Sequence, residues 1–342
     1  MRDVFICGCG VVSPAGWGVA ALREALLRGE PIAETGLARP GWMQPLRARA
    51  VPSPGARPNF LMHPRLRRTS AIAQQSVGAA VEALGADAAK VAEGSMRLGV
   101  ILCAMSGCVN YSRRFYDEVL KDPGTASPLV FPETVFNAPA SHLAALLGTK
   151  AINYTIVGDP GTFLQGVALA ADWLQGHRVD GCLVVGVEEL DWLTTDAYRL
   201  FDARVVLSGG AGAIYLRRDK GENGAAKLEA VTGTHLFTTK QSREQAAKAA
   251  RAEIKANGND ESLYDGMQGL RAIDAAEEAA WSDWAGRRLS LKKILGEGLM
   301  AAAAWQCVAA VDALQRREYR RAVVSVVGCN QQAIAAQFSR QE

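Results

Sequence analysis

Two spacings of apolar residues alternate along the chain. Val4–Val12, Leu98–Met105 and Gly181–Val187 are continuous β-rich runs without polar alternation, which predicts strands covered on both faces. Helical patterns separate them. A turn at Ser13-Pro14-Ala15-Gly16 leads to an amphipathic helix through Leu27, Arg68–Leu84 is an Ala-rich helix, Tyr111–Leu120 a polar one, and Ala138–Leu147 a short one carrying His142. Residues 31–60 lack periodicity and read as surface excursion; Asp122–Phe136, with three prolines, reads as loop.

The chain is organised around Asn153–Gln175, NYTIVGDPGTFLQGVALAADWLQ. The pattern predicts a buried strand (Tyr154, Ile156, Val157), an abrupt turn at Gly158-Asp159-Pro160, and an apolar helix. Asp159 suits the N-cap, Pro160 the first helical position and Thr162 a second cap. Neither Ser nor Cys stands at the tip. Val205–Arg217 carries SGGAGAIYL, read as a tight turn into a strand, since no P-loop Lys follows. A second set begins at Leu228–Val231: helices Ser242–Ala256, Ala272–Trp284 and Gly298–Leu314, then a final strand, Arg321–Val327. Strands alternating with helices predict an α/β fold in two halves, 1–220 and 226–342, joined near Asp219–Ala225.

The chain has 342 residues, 49% of them hydrophobic, and a net charge of +3. Mean hydropathy is near zero, so the balance is that of a soluble globular protein with a large core. No regular basic helix with interleaved aromatics suggests nucleic acid. Gly298–Leu314 is too short and polar to span a bilayer. Seven scattered cysteines and no signal peptide point to the cytoplasm and to free thiols, with Cys103 and Cys108 buried and inert. Cys7-Gly8-Cys9 lacks zinc-knuckle spacing, so no metal or cofactor is expected. The Arg65–Arg68 and Arg316–Arg321 clusters read as solvated surface or as docking sites for an acidic partner. His142 reads as a satisfied core histidine.

Taken in order, several segments resemble the β-ketoacyl synthase branch of the thiolase fold. ICGCGVVSPAGWGVAALREALLRGE resembles that family's opening strand, turn and helix. SPLVFPETVFNAPASHLAALLGTKAINYTIV resembles the approach to its nucleophile elbow, and VDGCLVVGVEEL the strand beyond. LFDARVVLSGGAGAIYLRR resembles the end of the first half, and LKKILGEGLMAAAAWQCVAAVDALQRRE the Lys-bearing segment with its long helix. The resemblance implies a thiolase-like fold of two pseudo-equivalent βαβαβ-type halves in α-β-α-β-α layers. It also implies a Cys for the acyl thioester, two His for decarboxylation and a positioning Lys.

In that alignment the Cys falls on Pro160, and the first His on Gly266, beside Asp265 and ahead of the pair Asp274 and Glu277. The second His falls on Glu297. Lys292 alone is retained. The last Gly-rich loop is reduced to Val326–Asn330, and the segment Leu190–Phe201 is shortened. Without a thiolate no acyl-enzyme forms, and a carboxylate at 297 would repel a developing enolate. The resemblance therefore implies a catalytically inactive, chain-length-factor-like subunit. It would pair with an active ketosynthase and an acyl carrier protein in polyketide, aryl polyene or fatty acid biosynthesis, and shape the partner's acyl tunnel through Phe136, Phe163 and Leu164. The alternatives are altered acyl-thioester chemistry on Asp159 or Glu297, which would converge in this fold, or a non-catalytic carrier-binding homodimer.

Overall fold

The computed structural model describes residues 3–220, 226–256 and 258–341. Five principal strands precede the join: β1 (Phe5–Ser13), β2 (Leu98–Ala104), β3 (Asn153–Val157), β4 (Gly181–Glu188) and β5 (Gly210–Arg217). Five follow it: β6 (Ala226–Val231), β7 (Glu261–Asp265), β8 (Arg287–Ser290), β9 (Arg321–Val327) and β10 (Gln332–Arg340). Hydrogen bonding runs in the order β8-β7-β9-β10-β6-β1-β5-β4-β2-β3. Within each half the sequence of strands is therefore third, second, fourth, fifth, first. In both, the fourth strand pairs parallel with the second and antiparallel with the fifth. The halves meet where β1 pairs antiparallel with β6 through Phe5↔Lys227 and Ile6↔Ala226. Residues 221–225 of the expected join lie outside the described residues.

Besides a short helix at Asp87–Ala92, the α-helices are α1 (Val19–Arg28), α2 (Ala71–Leu84), α3 (Val109–Lys121), α4 (Ala138–Leu147), α5 (Thr162–Gln175), α6 (Trp192–Tyr198), α7 (Lys240–Glu253), α8 (Arg271–Ala280), α9 (Leu291–Leu295) and α10 (Met300–Gln315). The pleat sorts the strand residues into layers. Val100 and Leu102 of β2 face a cluster with α2 and α4, whereas Ile101 and Cys103 face one shared with α5 and α10. In the second half Ala322 and Val324 of β9 face that same central cluster, while Val323 faces α7 and α8. Two helical layers outside, two sheet faces and α5 with α10 between them give the α-β-α-β-α thiolase-like arrangement.

Helix α10 is buried from Met300 to Leu314, all the way round. Its Trp305 indole donates to the carbonyls of Val12 (3.2 Å) and Ala211 (3.1 Å). Two glycines let the strands approach it. A Cβ on Gly186 would stand 2.6 Å from the Met300 carbonyl oxygen, and one on Gly212 would stand 2.7 Å from Ala304 Cβ.

Several expectations are corrected. Strand β3 is an edge strand rather than a buried one, with Tyr154 48% and Val157 50% exposed. Arg321–Val327 is not the last strand; β10 follows, and β7 and β8 had no clear apolar signature. Residues 31–60 are not all excursion, because Thr35–Leu37 and Leu46–Arg49 form a small sheet with Leu207–Ser208 that buries Leu46 and Ala48.

Trp305→Ala removes a fully buried indole from the central layer and is expected to cost about 3–5 kcal/mol. Guanidinium denaturation of the variant measures it, and a loss below ~1 kcal/mol would contradict the central role given to α10.

Candidate functional site at the elbow

The elbow that joins β3 to α5 is held differently from its sequence reading. Helix α5 begins at Thr162, with Gly161 at the N-cap and no side-chain cap. Asp159 and Pro160 occupy a tight turn whose carbonyls accept from Thr162 N (2.8 Å) and Phe163 N (3.2 Å). Asp159 therefore does not cap the helix, and Pro160 precedes the helix instead of opening it. The Asp159 carboxylate turns towards the link between β9 and β10. Its Oδ2 accepts from the backbone N–H groups of Gln331 and Gln332, both at 3.2 Å. Burial raises the Asp159 pKa, against the pull of those two amides and the Lys292 charge. Thr162 is not a second cap either: its hydroxyl accepts from Gln332 Nε2 at 3.0 Å.

Beside the elbow, Lys292 Nζ and Glu297 Oε2 form a buried ion pair at 2.7 Å. Glu297 Oε2 also accepts from Gln268 Nε2 (2.6 Å), and Oε1 from Leu299 N (2.8 Å). Its backbone is pinned on both sides, to Val206 O and Ser208 N (2.9 Å each). Burial alone would lower the Lys292 pKa. The charge and hydrogen bond of Glu297, reinforced by Cys329 and Glu277, outweigh that and leave it raised. Every acceptor contact of this carboxylate is thus made to a group of the chain itself: Lys292, Gln268 and Leu299 N.

Gly266 follows β7 and faces Lys292 and Glu277. A Cβ there would stand 3.2 Å from Glu277 Oε2 and 3.5 Å from Lys292 Nζ. Gly266 N donates to Glu277 (3.0 Å), while Asp274 receives the backbone N–H groups of Gln268, Gly269 and Leu270. Asp265, next to Gly266, pairs with Arg288 at 2.5 Å. Pro160, Gly266, Glu297 and Lys292 thus gather at one end of the two central helices. Asp159 and Glu297 are near enough to feel each other's charge, yet each has separate partners.

The remaining candidates scatter. Phe163 and Leu164 are fully buried in the central layer, and Phe136 is 43% exposed against Gly107. His142 is not a core residue: it is half-buried, and its Nε2 meets Glu133 at 2.8 Å. The Cys103 and Cys108 thiols are buried and pushed up by burial, that of Cys108 to about 12. Among the described residues no group of three or more His, Cys, Asp or Glu could hold a metal ion, and no helix is long and apolar enough to cross a membrane. Sequence reasoning missed Gln268, Gln331, Gln332 and Tyr198. Tyr198 is buried on α6 beside the Cys329 thiol. Only tertiary pairing reveals these four.

The motif VDGCLVVGVEEL ends in two buried carboxylates. Glu188 holds Met105 and Ser106, and Glu189 accepts from Asn110 N at 2.7 Å. Burial pushes Glu189 up to about 7, opposed by Asn110 and helped by Asp191. A carboxyl raised in the folded state adds stability that is complete below its ordinary pKa, about 4.3. That stability is lost as pH rises through about 7. Unfolding free energy should therefore fall across this window, and Glu189→Gln should flatten the fall; an unchanged pH profile would refute it. Lys292→Met leaves Glu297 buried without its cation and is expected to cost about 3–5 kcal/mol. The double variant Lys292→Met/Glu297→Gln should recover part of that loss in chemical denaturation.

The comparisons with known proteins bear on the family and the fold. The family model described as the β-ketoacyl synthase N-terminal domain matches residues 1–222. Among curated protein sequences none matches. Solved structures do. The ishigamide ketosynthase/chain length factor superposes with a TM-score of 0.82 at 19% identity, covering 99% of this chain and 100% of that one. A β-ketoacyl synthase from Burkholderia phymatum STM815 gives 0.79 at 16% identity, with both chains fully covered. A type II polyketide synthase acyl-carrier protein in complex with its hexaketide-bound ketosynthase gives 0.78 at 16%, again with full coverage. At these identities the superpositions speak for the fold, and it is the sequence match over 1–222 that makes this chain a member of the β-ketoacyl synthase family.

Proposed function

We propose that this chain is a non-catalytic, chain-length-factor-like subunit that pairs with an active β-ketoacyl synthase and shapes its acyl tunnel. The observation that carries the reading is the Lys292–Glu297 ion pair. The one retained member of the family's polar set is neutralised by a carboxylate standing where an imidazole is needed. Pro160 adds that no thiol stands at the elbow and no N–H is available from that residue. The setting would be polyketide, aryl polyene or fatty acid biosynthesis in the cytoplasm, with an acyl carrier protein as the second partner. Residues 1–220 and 226–342 would act as its two halves.

The pairing surface would be the open edge of β3. Its residues, Asn153 to Val157, carry no charge, and an unprotected edge strand is a template for another chain. Tyr154 and Val157 are exposed there, and Leu129, Phe131, Val135 and Phe136 add exposed apolar groups from the preceding segment. Of the three tunnel candidates, Phe136 is the exposed one and would reach a partner's cavity, whereas Phe163 and Leu164 are buried in the central layer. Altered acyl chemistry on Asp159 or Glu297 is disfavoured because both carboxylates already have internal donors.

Co-expression with a ketosynthase encoded beside this chain is expected to yield a one-to-one complex whose product length changes when Phe136 is replaced by Ala. Val157→Lys should weaken the pairing by about tenfold or more. A lone monomer with no influence on the partner's products would sink the proposal, and a stable homodimer that ignores the ketosynthase would favour the carrier-binding alternative.

A further inference from the structure

We propose that the turn between β9 and β10 is an anion cradle and that Asp159 is its built-in occupant, so that the chain fills the cradle from within. The inference stands apart from any pairing, since it concerns contacts inside one chain. Consecutive backbone N–H groups pointing the same way form a nest for a negatively charged oxygen. Here the N–H groups of Gln331 and Gln332 converge on a single oxygen, Asp159 Oδ2. The carboxylate arrives from a residue more than 170 positions earlier in the chain. It is only 3% exposed.

The turn is shaped to admit it. Gly328 N donates to Gln332 O at 2.9 Å and closes the turn. The Gly328 α-carbon lies directly against the carboxylate, because a Cβ there would stand 1.7 Å from Oδ2 and 2.5 Å from Cγ. Any larger residue at 328 would expel the Asp159 side chain. No cation holds it by direct contact among the described residues: Lys292 is committed to Glu297. Asp159 Oδ1 is buried with no hydrogen-bond partner among the described residues. The amides alone therefore fix this group, as they would fix a free anion.

The ligand class follows from what the two amides accept: a small carboxylate, or the carbonyl oxygen of an acyl group as it gains negative charge. In this chain that position is filled, which denies an acyl carbonyl a seat at the elbow independently of the missing thiol. A carboxylate that served only as a staple would not be replaceable by a free one. That difference is measurable.

Asp159→Ala empties the cradle. The variant should melt below the wild type. Formate or acetate at millimolar concentration should raise its melting temperature saturably by roughly 2–4 °C, while formamide and chloride do not and the wild type stays unmoved. Hydrogen exchange at Gln331 and Gln332 should quicken in the variant and slow again with formate. Equal responses of variant and wild type, or none in either, would overturn the proposal. If Asp159→Ala fails to fold, Asp159→Asn keeps the shape and loses the charge. Exchange at the two amides should then be about tenfold faster than in the wild type, with no formate effect because the cradle stays filled; unchanged protection would count against it.

Discussion

The alanine-rich surface of α10 lies so close to β4 and β5 that Gly186 and Gly212 have no space for a side chain. That contact sets the geometry of everything around it. Helix α10 can be buried on all sides because most of its residues are small or apolar, because Trp305 and Gln306 find backbone carbonyl partners on the strands, and because Asp312 pairs with Arg23 and Arg316. Close-packed interiors leave little freedom to shift such a helix. Whatever stands at its N-terminal end, including Glu297 and Leu299, is therefore placed to within the tolerance of the packing.

The two carboxylates at that end have their partners inside the chain. Lys292, Gln268 and Leu299 N all serve Glu297, while Gly266 N and the Ser325 hydroxyl serve Glu277. Buried ion pairs add little net stability over apolar packing, but breaking one is costly. The arrangement is thus hard to erode one residue at a time. It also leaves few free donors for a bound acyl group, and a companion subunit is a role in which such a site is tolerated.

Much of the fold was legible in the sequence because burial on both faces writes continuous apolar runs, as in β2 and β4, and because α4 is bounded by Asn137 and Gly148. The missed strands β7 and β8 hold Glu, Asp, Arg and Ser, whose polar groups are met by long-range partners such as Arg288 with Asp265. The exposure of β3 was hidden for the opposite reason: Tyr, Ile and Val look buried wherever they stand, and only strand order reveals an edge. At the site, matching the family's Cys and His to Pro160, Gly266 and Glu297 rests on the resemblance of the flanking segments. The roles of Asp159 and Thr162 were not legible, because local capping rules cannot anticipate donors supplied by the final hairpin.

The repeated strand order has one more consequence. In each half the third strand leads into a central helix, β3 into α5 and β8 by way of α9 into α10. Asp159 and Glu297 each stand three residues before their helix begins, at Thr162 and at Met300. The internal near-symmetry thus aims two helix macrodipoles, positive end first, at neighbouring points. The field that results favours negative charge whoever supplies it, and here both places are taken by the protein's own carboxylates.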